Sequence, residues 1–228
     1  MTLINETYMS GTQHAPLEVA LPASKGPWPA VLLLHGSFGL LPPYGADMAA
    51  FAQALADAGT AAAMPHYFEA TVPKTDPGAT AMALIPERRG AWRLACCDAL
   101  VHLSQDPRFD VDRLGVLGFS LGGNLALSIA LDPPPKTSLS CVVDFFGPTA
   151  GLATSWSSLP PVLVCHGTAD QVVDPSESDN LIEALERDGK KSGTGYEYET
   201  FPGEGHGFKE PALRRSRDLT VAFFKKHL

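Results

Sequence analysis

From residue 30 to the C-terminus, short apolar runs of strand character alternate with segments of helical character, and that alternation leaves few architectures open to the chain. The runs are Ala30 to His35, Thr60 to His66, Arg113 to Phe119, Ser140 to Phe146 and Val162 to His166. They are apolar almost throughout, as strands are when helices cover both faces of a parallel sheet. Tyr196 to Phe201 alternates Tyr and Glu and reads as a last, more exposed strand, and residues 1 to 22 as an antiparallel hairpin. The helical segments are Tyr44 to Ala58, Gly90 to Leu103, Leu121 to Leu131, Ser176 to Arg187 and Pro211 to His227. In the first, Met48, Phe51 and Leu55 recur at helical spacing and Gly59 supplies a stop. The pattern predicts an α/β fold: a mostly parallel twisted sheet flanked by helices and joined by right-handed crossovers. One stretch departs from it. Glu69 to Arg89, with Pro73, Pro77, Gly78 and Pro86, reads as a long irregular loop of the functional or mobile kind.

The chain has 228 residues, 45% of them hydrophobic and 18% charged, enough for a sizeable core, and one domain over 1–228 is expected. Apolar runs are short, Ala30 to Leu34 being typical, and fall far below the roughly 18 residues that span a membrane. Met1 to Pro16 is polar and without Lys or Arg, unlike a signal peptide, so a cytoplasmic location is expected. Cys96, Cys97, Cys141 and Cys165 lie in apolar segments with no CxxC pair and read as reduced, buried thiols. A net charge of −8 argues against nucleic acid as a partner. Residues 209–228 carry six Lys or Arg against two Asp or Glu, which on a terminal helix reads as a solvated face. Neither HExxH nor a Cys/His cluster at zinc spacing occurs, so no metal is expected.

The chemistry concentrates after the strands. Gly118-Phe119-Ser120-Leu121-Gly122 follows a predicted strand and opens a predicted apolar helix, the context that makes a G-x-S-x-G motif a nucleophile elbow. Asp170 stands just past Val162 to His166, and His206 lies in Gly203-Glu204-Gly205-His206-Gly207 beyond the last strand. The chain order Ser, Asp, His is that of an α/β-hydrolase triad. Asp174, ahead of a helix, reads better as a turn or capping residue. His35, His66 and His166 end predicted strands and read as packed or hydrogen-bonded imidazoles. The Gly203-x-Gly205-x-Gly207 spacing is not the GxGxxG of a dinucleotide loop. His35-Gly36-Ser37-Phe38-Gly39 follows the first core strand, where the Ser37 amide would share an oxyanion hole with the Leu121 amide.

On these motifs the chain, from about residue 25 to 228, resembles the dienelactone hydrolase family of α/β-hydrolases, with little or no cap domain. The resemblance carries the triad onto Ser120, Asp170 and His206 and the oxyanion hole onto Ser37 and Leu121. The family's best-known members use a cysteine nucleophile and a glutamate after the first core strand; the matching positions here are Ser120 and Gly36. Those members also grip a substrate carboxylate with arginines, one of them shortly after the catalytic histidine; here that stretch reads Gly207-Phe208-Lys209-Glu210, and Arg88, Arg89 or Arg93 would have to replace the other. The expectation is therefore a serine hydrolase that cleaves a small ester or lactone through an acyl-enzyme without a cofactor. Phe38, Tyr67, Phe68, Trp92 and Phe208, with Arg88 and Arg89, are the expected substrate-contacting residues. A peptidase or amidase on the same triad, and a noncatalytic binding protein on the same fold, are the rival readings. The residues leave the oligomeric state open.

Overall fold

The computed structural model describes residues 2–152 and 155–228. An eight-stranded sheet forms its centre. β1 (Thr2–Ser10) and β2 (Gln13–Leu21) make an antiparallel hairpin, and β2 pairs antiparallel with β4 (Ala61–Pro65). Beyond it β3 (Trp28–Leu34), β5 (Phe109–Phe119), β6 (Cys141–Phe145), β7 (Val162–Gly167) and β8 (Tyr196–Phe201) are all parallel to β4. The spatial order is β1-β2-β4-β3-β5-β6-β7-β8. This is the mostly parallel sheet that the alternating pattern predicts.

The helices are α1 (Tyr44–Asp57), α2 (Ala79–Gln105), α3 (Leu121–Leu131), α4 (Ser176–Arg187) and α5 (Ala212–His227). Successive strand side chains point to opposite faces, so one apolar run feeds two cores. Ala30, Leu32 and Leu34 of β3 pack with Trp92 and Leu100 of α2, Leu125 of α3 and Leu185 of α4. Val31 and Leu33 pack on the other face with Met48 and Phe51 of α1 and Phe223 and Phe224 of α5. Each such side chain taken fully from water contributes about 1.5–3 kcal/mol. The two-sided burial explains why these strands read as continuous apolar runs.

Two expectations need correction. The long loop over Glu69 to Arg89 is shorter, because α2 begins at Ala79 and absorbs its second half. Ala79 to Leu84 is rich in strong helix formers, Ala81 is buried in the core, and Pro86 sits on an exposed part of the helix where one lost hydrogen bond is tolerated. The first and third core strands also begin earlier than their apolar runs, at Trp28 and Phe109, which pair with each other across a register shift.

Because β3, β5, β7 and β8 run parallel, the loops that follow them leave at one edge of the sheet. That edge carries Gly36, Ser120, Asp170 and His206. The four cysteines are buried and form no disulfide. Among the described residues no helix is long and apolar enough to cross a membrane.

Candidate active site

Ser120 stands between β5 and α3 with φ 55° and ψ −116°, a strained conformation for a residue with a Cβ. Its backbone is held on both sides: the amide donates to the Phe145 carbonyl at 2.9 Å, and its carbonyl accepts from the Asn124 amide at 3.1 Å. The turn is tight enough that a Cβ on Gly118 would overlap the Gly122 carbonyl oxygen, and one on Gly122 would overlap the Leu34 carbonyl oxygen. Glycine at both positions is therefore a steric requirement of the turn. Its consequence is that the Ser120 side chain projects from the strand end into a cleft.

His206 Nε2 lies 2.9 Å from Ser120 Oγ, and His206 Nδ1 lies 2.7 Å from Asp170 Oδ2. Asp170 Oδ1 accepts from the amides of Val172 (2.8 Å) and Val173 (3.0 Å), so the turn after β7 fixes the carboxylate. Burial pushes the Asp170 carboxyl up, but the hydrogen bonds from His206 and the two amides outweigh it and leave it below the usual range. Asp174 is occupied otherwise, its carboxylate accepting from the Ser176 amide at 2.9 Å at the start of α4.

His166 is the packed, hydrogen-bonded imidazole expected, and it packs beside Asp170. Its ring is fully buried, Nε2 lies 3.0 Å from the Val173 carbonyl and 3.3 Å from Asp170 Oδ2, and Nδ1 lies 2.6 Å from Ser178 Oγ. Both neighbours of Nε2 are acceptors, so Nε2 carries a proton, and Nδ1 pairs with the Ser178 hydroxyl. The four-residue spacing from His166 to Asp170 across a strand end was the only signal of that contact. His35 is also fully buried, and burial pushes it down to about 4, which keeps it neutral. Its ring stacks on Tyr67 at 3.9 Å, and its Nδ1 lies 2.9 Å from the Gly36 carbonyl.

Gly36 abuts the elbow, since a Cβ there would sit 3.3 Å from the Phe119 carbonyl oxygen and 3.4 Å from Ser120 Cβ. Ser37 follows it on the cleft wall, and Leu121 provides the first amide of α3. Among the described residues neither the Ser37 nor the Leu121 amide has a hydrogen-bond partner within the protein. Amides in the first turn of a helix lack an intrahelical partner and favour an anion.

The cleft holds about 420 Å³ and is walled chiefly by Phe38, Phe51, Phe119, Phe145, Phe146 and Phe208. Phe146 lies 4.6 Å from the His206 ring, centroid to centroid. Of the residues expected to contact substrate, Phe38 and Phe208 line it. Tyr67 and Trp92 do not: both are fully buried in the core on the α2 side, and the Tyr67 hydroxyl donates to the His35 carbonyl at 2.7 Å. Phe68 packs 4.9 Å from Trp92 in that same core. Arg88 and Arg89 also stay out of the cleft. Arg88 donates to Thr71 Oγ1 at 2.8 Å and to the Pro73 carbonyl, and Arg89 to the Ala150 (2.6 Å) and Gly151 (3.2 Å) carbonyls. Arg93 is bonded to Ser128 and Asp132. These arginines lie on α2, whose axis the sequence pattern could not orient.

Glu6, His102 and Asp106 bring potential metal-ligating atoms together, but the Arg108 guanidinium already occupies both carboxylates, at 2.6 and 2.7 Å from Glu6 and 2.8 Å from Asp106. That cluster is an ion-pair network joining β1 to the turn between α2 and β5.

The dienelactone hydrolase family model matches residues 17–222. A carboxymethylenebutenolidase from Rhodococcus opacus is 28% identical over 247 aligned positions, covering 99% of this chain and 91% of that protein. A Saccharomyces cerevisiae protein provisionally given the same name is 35% identical over 108 residues, which is 42% of this chain and only 38% of that one. Among solved structures, a dienelactone hydrolase-like promiscuous phosphotriesterase from metagenomic libraries superposes with a TM-score of 0.80 at 22% identity, covering 99% of this chain and 98% of that one. A dienelactone hydrolase from Anabaena variabilis does so with a TM-score of 0.74 at 21% identity, covering 100% and 98%. At such identities the structural likeness is one of fold.

Proposed function

The chain belongs to the dienelactone hydrolase family of ester and lactone hydrolases, and on that premise we propose that it cleaves a small carboxylic ester or lactone through an acyl-enzyme on Ser120. The observation that carries the reading is the pair of hydrogen bonds from Ser120 through His206 to Asp170. In the first half-reaction His206 Nε2 accepts the Ser120 proton as Oγ attacks the carbonyl carbon. The Ser37 and Leu121 amides face the oxygen that gains the negative charge. Collapse of this intermediate expels the alkoxide, which takes the proton from His206 and leaves as the alcohol. Water repeats the cycle on the acyl-enzyme, releasing the acid and restoring Ser120. Asp170 holds His206 in the tautomer that presents a free Nε2 lone pair and stabilises the imidazolium that forms. His166 positions Asp170 rather than touching substrate.

The test is labelling by a fluorophosphonate together with turnover of a panel of p-nitrophenyl esters, lactones and anilides. Wild-type protein is expected to label once, at Ser120, and to turn over esters or lactones, and Ser120→Ala is expected to abolish both. Full hydrolysis by a folded Ser120→Ala would remove Ser120 from the reaction, and a preference for anilides would move the reading to an amidase.

A further inference from the structure

The same cleft has a pronounced charge character. Among the described residues its lining holds no lysine or arginine, and Asp47 in the first turn of α1 is its one carboxylate, exposed to the same space as Ser120 and His206. Among the described residues no cation lies within salt-bridge distance of the Asp47 carboxylate. The nearest charged neighbours are on the α5 side. Arg217 draws Asp47 towards ionisation, but it is paired with Glu210 at 3.5 Å, and Glu210, which also meets Arg214, acts on Asp47 in the opposite sense. Burial is the largest influence and pushes the Asp47 carboxyl up, as expected of an acid facing an apolar cavity. Arg88 and Arg89, expected at the substrate, instead hold the loops at 71–73 and 150–151, and Lys209, three residues past His206, is exposed on the surface. Phe38 and Tyr44, both partly exposed and with ring centroids 5.3 Å apart, stand at the mouth and add aromatic surface.

We propose that this cleft selects esters whose acyl group is uncharged and apolar and discriminates against carboxylate-bearing ones, with Asp47 as the residue that sets the charge preference. The inference rests on Ser120 as the nucleophile, and goes beyond it in naming the substrate class. A substrate carboxylate entering the cleft would leave water without a cation to meet it and would face the unpaired Asp47 charge. An apolar acyl chain instead gains contact with the phenylalanine walls. Two like charges several ångströms apart in a partly desolvated cleft repel enough to lower kcat/KM by about tenfold.

The experiment compares p-nitrophenyl hexanoate with the mono-p-nitrophenyl ester of adipic acid, which puts a carboxylate in place of the terminal methyl. The ratio of kcat/KM is measured at low and at high salt for wild type, Asp47→Asn and Asp47→Glu. In wild type the hexanoate is expected to be favoured about tenfold or more at low salt, and less at high salt as the repulsion is screened. Asp47→Asn is expected to narrow the ratio about threefold or more by raising turnover of the anionic ester, and Asp47→Glu to retain it. Equal turnover of both esters by wild type, or a ratio unmoved in Asp47→Asn, overturns the inference while leaving Ser120 in place. Should Asp47→Asn fail to fold, a wild-type ratio insensitive to salt overturns it as well. If wild type cleaves neither ester, or Ser120→Ala cleaves both, the acyl-enzyme reading falls and this inference falls with it.

Discussion

Asp144 lies on β6, in register with Gly118 of the strand that delivers Ser120, and its side chain is completely buried. Its Oδ1 accepts from the Gly147 amide at 3.1 Å, while Oδ2 is buried with no hydrogen-bond partner among the described residues. Burial pushes this carboxyl from 3.8 up to about 8, and the Gly147 hydrogen bond draws it back only in part. The sign of the consequence follows from proton binding. Between about pH 4 and pH 8 the unfolded chain has lost this proton and the folded chain retains it, so stability falls as pH rises. The contribution is fully present below the unfolded pKa and is gone once the pH has passed through the folded one. Within the window the slope is about 1.4 kcal/mol per pH unit, which accumulates to something on the order of 5 kcal/mol. Asp144→Asn keeps an oxygen for the Gly147 amide and removes the ionisation, so its stability should not carry this slope. The assay is denaturant unfolding of both proteins from pH 5 to pH 8.5, compared as the difference between them so that the other titrating groups cancel. Wild type is expected to lose stability relative to Asp144→Asn with rising pH, even where burying an amide makes the variant less stable at pH 5. A difference that stays constant across the range would refute the reasoning.

Two further predictions rest on geometry alone. Asp170→Asn should lower kcat by roughly ten-thousandfold through loss of the correct His206 tautomer, while Asp174→Asn, which weakens only a hydrogen bond at the start of α4, should change kcat little; reversed severities in folded variants would count against Asp170. Gly118→Ala should destabilise by about 2–3 kcal/mol or prevent folding, because its Cβ overlaps the Gly122 carbonyl; Gly90→Ala, on an exposed stretch of α2 with open space around it, should stabilise by about 1 kcal/mol. Thermal melts read both, and a neutral Gly118→Ala would refute the close-approach argument.

Much of the architecture was legible because it is written in local patterns. A five-residue apolar run such as Ala30 to Leu34 between turns serves both faces of a parallel sheet, and Gly118-x-Ser120-x-Gly122 between a strand and a helix compels a tight turn whatever lies around it. The chain order of Ser120, Asp170 and His206 past the ends of β5, β7 and β8 was readable for the same reason, since parallel strands send their following loops to one edge. Helix α2 was harder. Pro86 and the prolines before it mask helix formers whose order depends on Ala81 finding a place in the core.

The amino-acid sequence by itself determined where most strands and helices form, the first turns of α2 excepted, and which three polar side chains leave the carboxyl edge of the sheet, because these follow from periodicity and from backbone sterics a few residues wide. Only the tertiary structure decided that β4 would lie between β2 and β3, that Tyr67 and Trp92 face the core, that Arg88 and Arg89 grip loops instead of the cleft, and that Asp47 enters it. The strand order and the place of Tyr67 depend on how distant strands pair, and the places of Trp92, Arg88, Arg89 and Asp47 on how α1 and α2 rotate and tilt as they pack on opposite faces of the sheet. That orientation is set by contacts among residues far apart in the chain, which no local pattern encodes.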